Sequence, residues 1–195
     1  MHGLINRSIQ SFLTDTYGPV LWRRVATAAR LGFDDFEAML DYDDALTDAV
    51  IDAAASQLRR PRDALLEDLG TYLVSHPNRE ALRRLLRFGG VSFVDFLHSL
   101  DDLPGRGRLA VPDLDLPQLQ LSARSDRQFT LACRGPRPGY GHVMVGVLRA
   151  MADDYGALAL LDHTGTQDGV ETITIDLLEP SFAAGRPFAL ATRGG

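Results

Sequence analysis

Carboxylates stand side by side at Asp34-Asp35, Asp43-Asp44, Asp101-Asp102 and Asp153-Asp154. General acid/base chemistry needs two carboxyl groups converging on one reacting bond, whereas neighbours on a helix point about 100° apart. These pairs therefore read as helix caps and solvated faces. Five histidines and Cys133, the single cysteine, supply the other groups able to hold a metal or attack a substrate. A lone thiol excludes an intrachain disulfide and any zinc site built on paired thiolates, and it suits a reducing compartment. The chain has no His-Glu-x-x-His arrangement and no Gly-x-Ser-x-Gly elbow, so a metalloprotease or serine hydrolase lacks its minimum parts. The glycines at 135, 139 and 141 are interrupted by prolines and form no phosphate loop. No catalytic turnover is expected from this set of groups.

The 20 Lys and Arg against 26 Asp and Glu leave a formal charge of −6, which argues against a broad nucleic-acid footprint. The Arg59-Arg60 and Arg83-Arg84 doublets accordingly read as solvated helix faces. The N-terminal Met1-His2-Gly3-Leu4-Ile5-Asn6-Arg7 has no long apolar stretch, and no run of about 20 apolar residues follows, so neither secretion nor membrane insertion is expected. Together with the lone thiol this predicts a cytoplasmic protein. A length of 195 residues supports one sizeable core, and no Gly/Ser-rich or charged linker divides it.

Positioning these groups falls to a run of helices followed by strands. Leu4, Ile5, Ile9, Phe12 and Leu13 make one apolar helical face, broken at Tyr17-Gly18-Pro19. Pro19 suits the first turn of a second helix, Asp43-Asp44 caps a third, and Pro61 opens a fourth that stops at His76-Pro77. Residues 79–88 make a short basic-faced helix, and Gly89-Gly90 separates it from a segment ending in Pro104. Beyond Pro104, Gly105, Gly107, Pro112 and Pro117 predict a loop before strands at 118–123 and 128–134. Helical spacing returns over 139–155, followed by strand-like runs at 157–162 and 170–178. Helices first, then a small sheet holding one late helix, predict an α+β fold.

The segment Phe96-Leu97-His98-Ser99-Leu100-Asp101-Asp102-Leu103-Pro104 resembles the F-L-x-x-L-D-x-L helix of the haem nitric oxide/oxygen binding domain (H-NOX), the sensor module of soluble guanylate cyclase. In that family an axial histidine follows directly, and Pro104 stands in its place here. A proline has neither an imidazole nor a backbone N–H, so it cannot ligate iron and is expected at a helix boundary. Thr16-Tyr17-Gly18-Pro19 with Trp22, Asp41-Tyr42-Asp43-Asp44, Ala53-Ala54-Ala55-Ser56 and Leu66-Glu67-Asp68-Leu69-Gly70 continue the likeness in the family's order. The resemblance implies a helical lobe followed by a small antiparallel sheet over residues 1–178, with 179–195 as an extension or tail.

It also implies roles for particular residues. Pro117, thirteen positions after Pro104, takes the place of a proline that presses on the porphyrin. The family's Tyr-x-Ser-x-Arg clamp for the haem propionates reads Cys133-Arg134-Gly135-Pro136-Arg137, leaving Arg137, with help from Arg134, to pair with an anionic group. Ile5, Leu73 and Val143 fall on the distal side, where apolar residues disfavour oxygen and suit nitric oxide. Substitute iron ligands are His98, Cys133 and His142, each set against the plainer reading of a solvated or hydrogen-bonded side chain. His98 lies six residues before Pro104, about 600° round and roughly 9 Å back along a helix, so it demands another haem pose. Cys133 falls near the propionate edge, and His142 begins the late helix. His2, His76 and His163 are less suited, with His163 in an expected turn at 162–165.

Two functions are consistent with these residues. One is a stand-alone sensor that holds haem in an altered way, answers to nitric oxide and controls a separate signalling protein such as a histidine kinase or a cyclic-dinucleotide enzyme. The other is a haem-free module whose cavity takes another apolar ligand or is filled by side chains, leaving a protein-interaction domain.

Overall fold

Apolar residues at helical spacing and breakers at the turns build the first half of the chain, as a computed structural model covering residues 1–135 and 137–178 describes it. The stretch 179–195 lies outside the described residues. Helix α1 (Gly3–Tyr17) ends at Gly18, whose φ of 88° favours glycine, and Pro19 starts α2 (Pro19–Ala28). The Asp43 carboxylate accepts from the Ala45 N–H at the start of α3 (Asp44–Leu58), and α4 (Arg62–Ser75) follows Pro61 and stops at His76-Pro77. A short α5 (Glu80–Arg87) leads to α6 (Phe93–His98), which opens on a reciprocal Ser92–Asp95 capping box.

Pro104 begins a helix rather than ending one. Helix α6 stops at His98, a 3₁₀ turn covers Leu100–Asp102, and α7 (Leu103–Ala110) carries Pro104 in its first turn. The glycine-rich stretch after Pro104 is therefore helical, not the loop that its composition predicts. The physical reason is that a missing N–H costs nothing in a first turn, where that donor has no intrahelical partner.

The second half forms a four-stranded antiparallel sheet of β1 (Gln118–Ala123), β2 (Gln128–Arg134), β3 (Ala159–Gln167) and β4 (Val170–Leu177), in the order β1-β2-β4-β3. The β3–β4 turn is at Asp168-Gly169, with φ of 52° and 75°, the positive pair that a tight hairpin requires. The turn predicted at 162–165 is instead a bulge inside β3, between His163 and Gly165. Inserted between β2 and β3, α8 (Tyr140–Tyr155) lays Val145, Leu148 and Met151 in the same core as Leu131, Ile173 and Ile175. The architecture is α+β: a helical lobe, then a small antiparallel sheet with one late helix.

Two apolar cores result. One lies among α1 to α4 and includes Phe12, Leu13, Trp22, Val25, Phe36 and Leu69; the other joins α6, α8 and the sheet. They meet where α4 crosses α8. A Cβ on Gly70 would lie 2.0 Å from the Val143 carbonyl oxygen, and one on Gly146 would lie 1.9 Å from that of Glu67. Only hydrogen in place of a side chain lets these backbones touch. Replacing Gly146 with Ala is expected to destabilise the fold by about 2 kcal/mol or more through overpacking. Gly105 of α7 has open space around its Cβ position, so Gly105→Ala is expected to stabilise by about 0.5–1 kcal/mol. Urea denaturation of both variants checks the pair, and equal effects of one sign would refute the assigned packing.

Candidate functional site

The cavity nearest the distal positions lies between α1, α4 and α8. Ile5, Ile9, Leu66, Leu69 and Val143 line it with Arg137, and its volume is about 60 Å³. Ile5, Val143 and Arg137 are thus brought together. Leu73 is not: it is only partly buried, packs against the helical core and does not line the cavity.

Arg137 sits at the mouth with its charge already answered. Its guanidinium pairs with the Asp44 carboxylate, stands 3.7 Å from Asp48 and donates to the Asp44 carbonyl at 3.1 Å. The Arg137 side chain is only 15% exposed, so these contacts are partly shielded from water. Next to it, Tyr140 has its phenol held above the usual range, chiefly by burial and secondarily by Asp115.

Pro104 faces elsewhere. With Asp101, Arg108, Gln118, Gln120 and Arg134 it lines an open groove between α7 and the β1–β2 side of the sheet. Arg134 is exposed there, and Pro117 is buried just before β1. His98 is exposed at the end of α6, edge-on to Phe129 with ring centroids 5.9 Å apart. Cys133 is fully buried within the sheet core, opposite Glu171 in the β2–β4 register. Burial, with a smaller push from Glu171, raises the Cys133 thiol to about 12.

The one convergent set of ligand-type side chains among the described residues is His142, His163 and Glu171. The His142 and His163 rings stack with centroids 4.0 Å apart and planes 19° apart. His163 Nε2 is 3.3 Å from Glu171 Oε1. Glu171, 3% exposed, also accepts from the backbone N–H of Gly139 and of Gly141, both at 3.0 Å. A carboxylate is thus seated on the positive end of α8. Of this trio the sequence singles out only His142. The sequence predicts a turn at His163, and the residue belongs to β3 because the bulge between His163 and Gly165 keeps the strand running past it. Glu171 carries no local sign beyond a charged residue in an otherwise apolar-alternating strand.

Set against a porphyrin, these residues do not fit. A drug-sized ligand needs a pocket of roughly 300–1,000 Å³. The cavity lined by Ile5 and Val143 is about 60 Å³ and the groove beside Pro104 about 400 Å³, and neither is lined by a histidine or cysteine among the described residues. Arg137 is already engaged with two carboxylates.

A family profile described as Haem-NO-binding matches residues 2–159. Curated relatives include soluble guanylate cyclase 89Da of Drosophila melanogaster, 23% identical over 82% of this chain and 24% of its own. Soluble guanylate cyclase gcy-31 of Caenorhabditis elegans is 27% identical over 79% of this chain and 22% of its own. The chain therefore spans about a quarter of the length of these relatives. Among solved structures, an H-NOX protein from S. oneidensis superposes with a TM-score of 0.77 at 16% identity, covering 92% of this chain and 97% of that one. The I5F mutant of T. tengcongensis H-NOX gives 0.76 at 13% identity, covering 92% of this chain and 98% of that one. At these identities the structural likeness concerns the fold.

The buried thiol gives a direct check on the geometry. With a value of about 12, Cys133 is ionised to only roughly one part in ten thousand at pH 8. It is expected to resist a disulfide reagent in the native protein and to react with one equivalent in denaturant. Full reaction before unfolding would place the thiol outside the core.

Proposed function

Since this chain belongs to the Haem-NO-binding family, we propose that it is a cytoplasmic regulatory domain of the sensor class that works without family-type haem coordination. The observation that carries this reading is the packing of Ile5, Ile9, Leu66, Leu69 and Val143 around a cavity of only about 60 Å³. Pro104 supports it, since on the resemblance it takes the axial ligand's place and has no nitrogen to offer. The pairing of Arg137 with Asp44 and Asp48 supports it too: the cation left from the propionate clamp holds the N-terminus of α3 instead.

In this reading Ile5, Leu73, Val143 and Pro117 act as packing residues, and Arg134 is a surface cation beside the groove. His98 and Cys133 bind no iron. Regulation then passes through contact with a partner signalling protein, with a histidine kinase or a cyclic-dinucleotide enzyme as the classes that the resemblance implies. A domain without turnover of its own needs such a partner to produce an output.

Absorbance spectroscopy tests this. The protein as purified is expected to show no Soret band, and titration with haemin is expected to give no saturable one-to-one complex. A stoichiometric haem whose Soret band shifts with nitric oxide would sink the proposal and restore the reading of haem held in an altered pose.

A further inference from the structure

We propose that His142, His163 and Glu171 form a binding site for one divalent transition-metal ion of the zinc class. None of the three lines the cavity between α1, α4 and α8, so the proposal stands apart from the question of haem. The three side chains come from α8, β3 and β4, and their ligand atoms all lie within 4.8 Å of one another. Two imidazole nitrogens and one carboxylate oxygen are a donor set that suits zinc and its neighbours and leaves an open position for water.

One pair of ligand atoms already has the separation an ion needs. Bonds of about 2.1 Å in a tetrahedral site hold the ligand atoms roughly 3.4 Å apart. His163 Nε2 and Glu171 Oε1 already stand 3.3 Å apart. Closure then needs the His142 ring to turn out of its stack so that a nitrogen faces the pair.

The surroundings favour this closure. Glu171 is held still by the Gly139 and Gly141 amides, so it is a pre-positioned ligand. A Cβ on Gly141 would lie 2.7 Å from His163 Nε2, and its absence makes the room in which that nitrogen sits. His142 Nδ1 is buried and no hydrogen bond reaches it in good geometry, although Glu67 lies 3.5 Å away. Two carboxylates of α4 flank the same ring, Asp63 at 3.6 Å from Nε2 and Glu67 at 3.5 Å from Nδ1. Whichever nitrogen takes the ion, the other keeps its N–H, and Asp63 and Glu67 are the nearby carboxylates able to accept from it as the outer-shell partner that ligating histidines ordinarily have. The ion ties the start of α8 to the β3–β4 hairpin.

Zinc chloride titrated into the chelator-treated full chain, followed by calorimetry and thermal melting, tests the site. One equivalent is expected to bind, and the melting temperature is expected to rise with zinc concentration. His142→Gln and His163→Gln are each expected to weaken binding by about 100-fold with an unchanged far-ultraviolet circular dichroism spectrum, while His98→Gln binds as the parent does. His142 lies in the first turn of α8 and is partly exposed, so His142→Gln carries the test if His163→Gln fails to fold. Absence of one-to-one binding, or binding that both His142→Gln and His163→Gln retain, would overturn the proposal.

Discussion

Two helices approach to backbone contact only where neither carries a side chain, and the crossing of α4 and α8 at Gly70 and Gly146 is such a place. Both apolar cores depend on it, since α4 belongs to the helical lobe and α8 lies against the sheet. The crossing sets the height of α8 along α4. It thereby brings Val143 over Leu66 and Leu69 and sets His142 beside Asp63 and Glu67, while the other face of α8 stays on Leu131 and Ile173. The buried Glu171 carboxylate then fixes the N-terminus of the same helix from the sheet side. One helix is thus held at its start by charge and along its length by close packing.

Closure of the cavity follows from these two restraints. With α8 drawn against α4, the aliphatic side chains of α1 and α4 fill the space that a larger ligand needs. Arg137, in the turn just before α8, reaches back to Asp44 and Asp48 and joins that turn to α3. Arg137 is largely buried while the Asp44 and Asp48 carboxylates stay more than half exposed, so the contact serves to fix the turn more than to add net stability.

Much of the fold was legible in the chain. β1 and β2 fall at the predicted residues because alternation and flanking turn residues agree there, and α1 to α4 follow the caps and prolines that bound them. Two places were not legible, each for a local reason. Residues 105–111 carry glycines that favour a loop, yet Pro104 fits a first helical turn as well as a last one, and Gly107, buried in that helix, lies too close to Leu116 to carry a Cβ. In β3, Asp162 to Gly165 and Asp168-Gly169 offer comparable turn chemistry, and only pairing with β4 selects the second. The candidate site suffered most from that ambiguity, because His163 joins His142 and Glu171 only if the strand continues past Gly165. The residues that the resemblance singles out can be read individually, whereas their separation into a small cavity and a larger groove depends on tertiary packing that no local pattern encodes.

The separation of groove from cavity bears on how readily this chain could be turned back into a metalloporphyrin carrier. Histidine installed at position 104 would project from the first turn of α7 into the open groove beside Arg108 and Arg134. It would place a nitrogen in that groove of about 400 Å³, away from the small cavity around Ile5 and Val143. A single substitution would therefore add a donor to a groove that shares no lining residue with the cavity of Ile5 and Val143, and a family-type pocket also needs the two spaces joined.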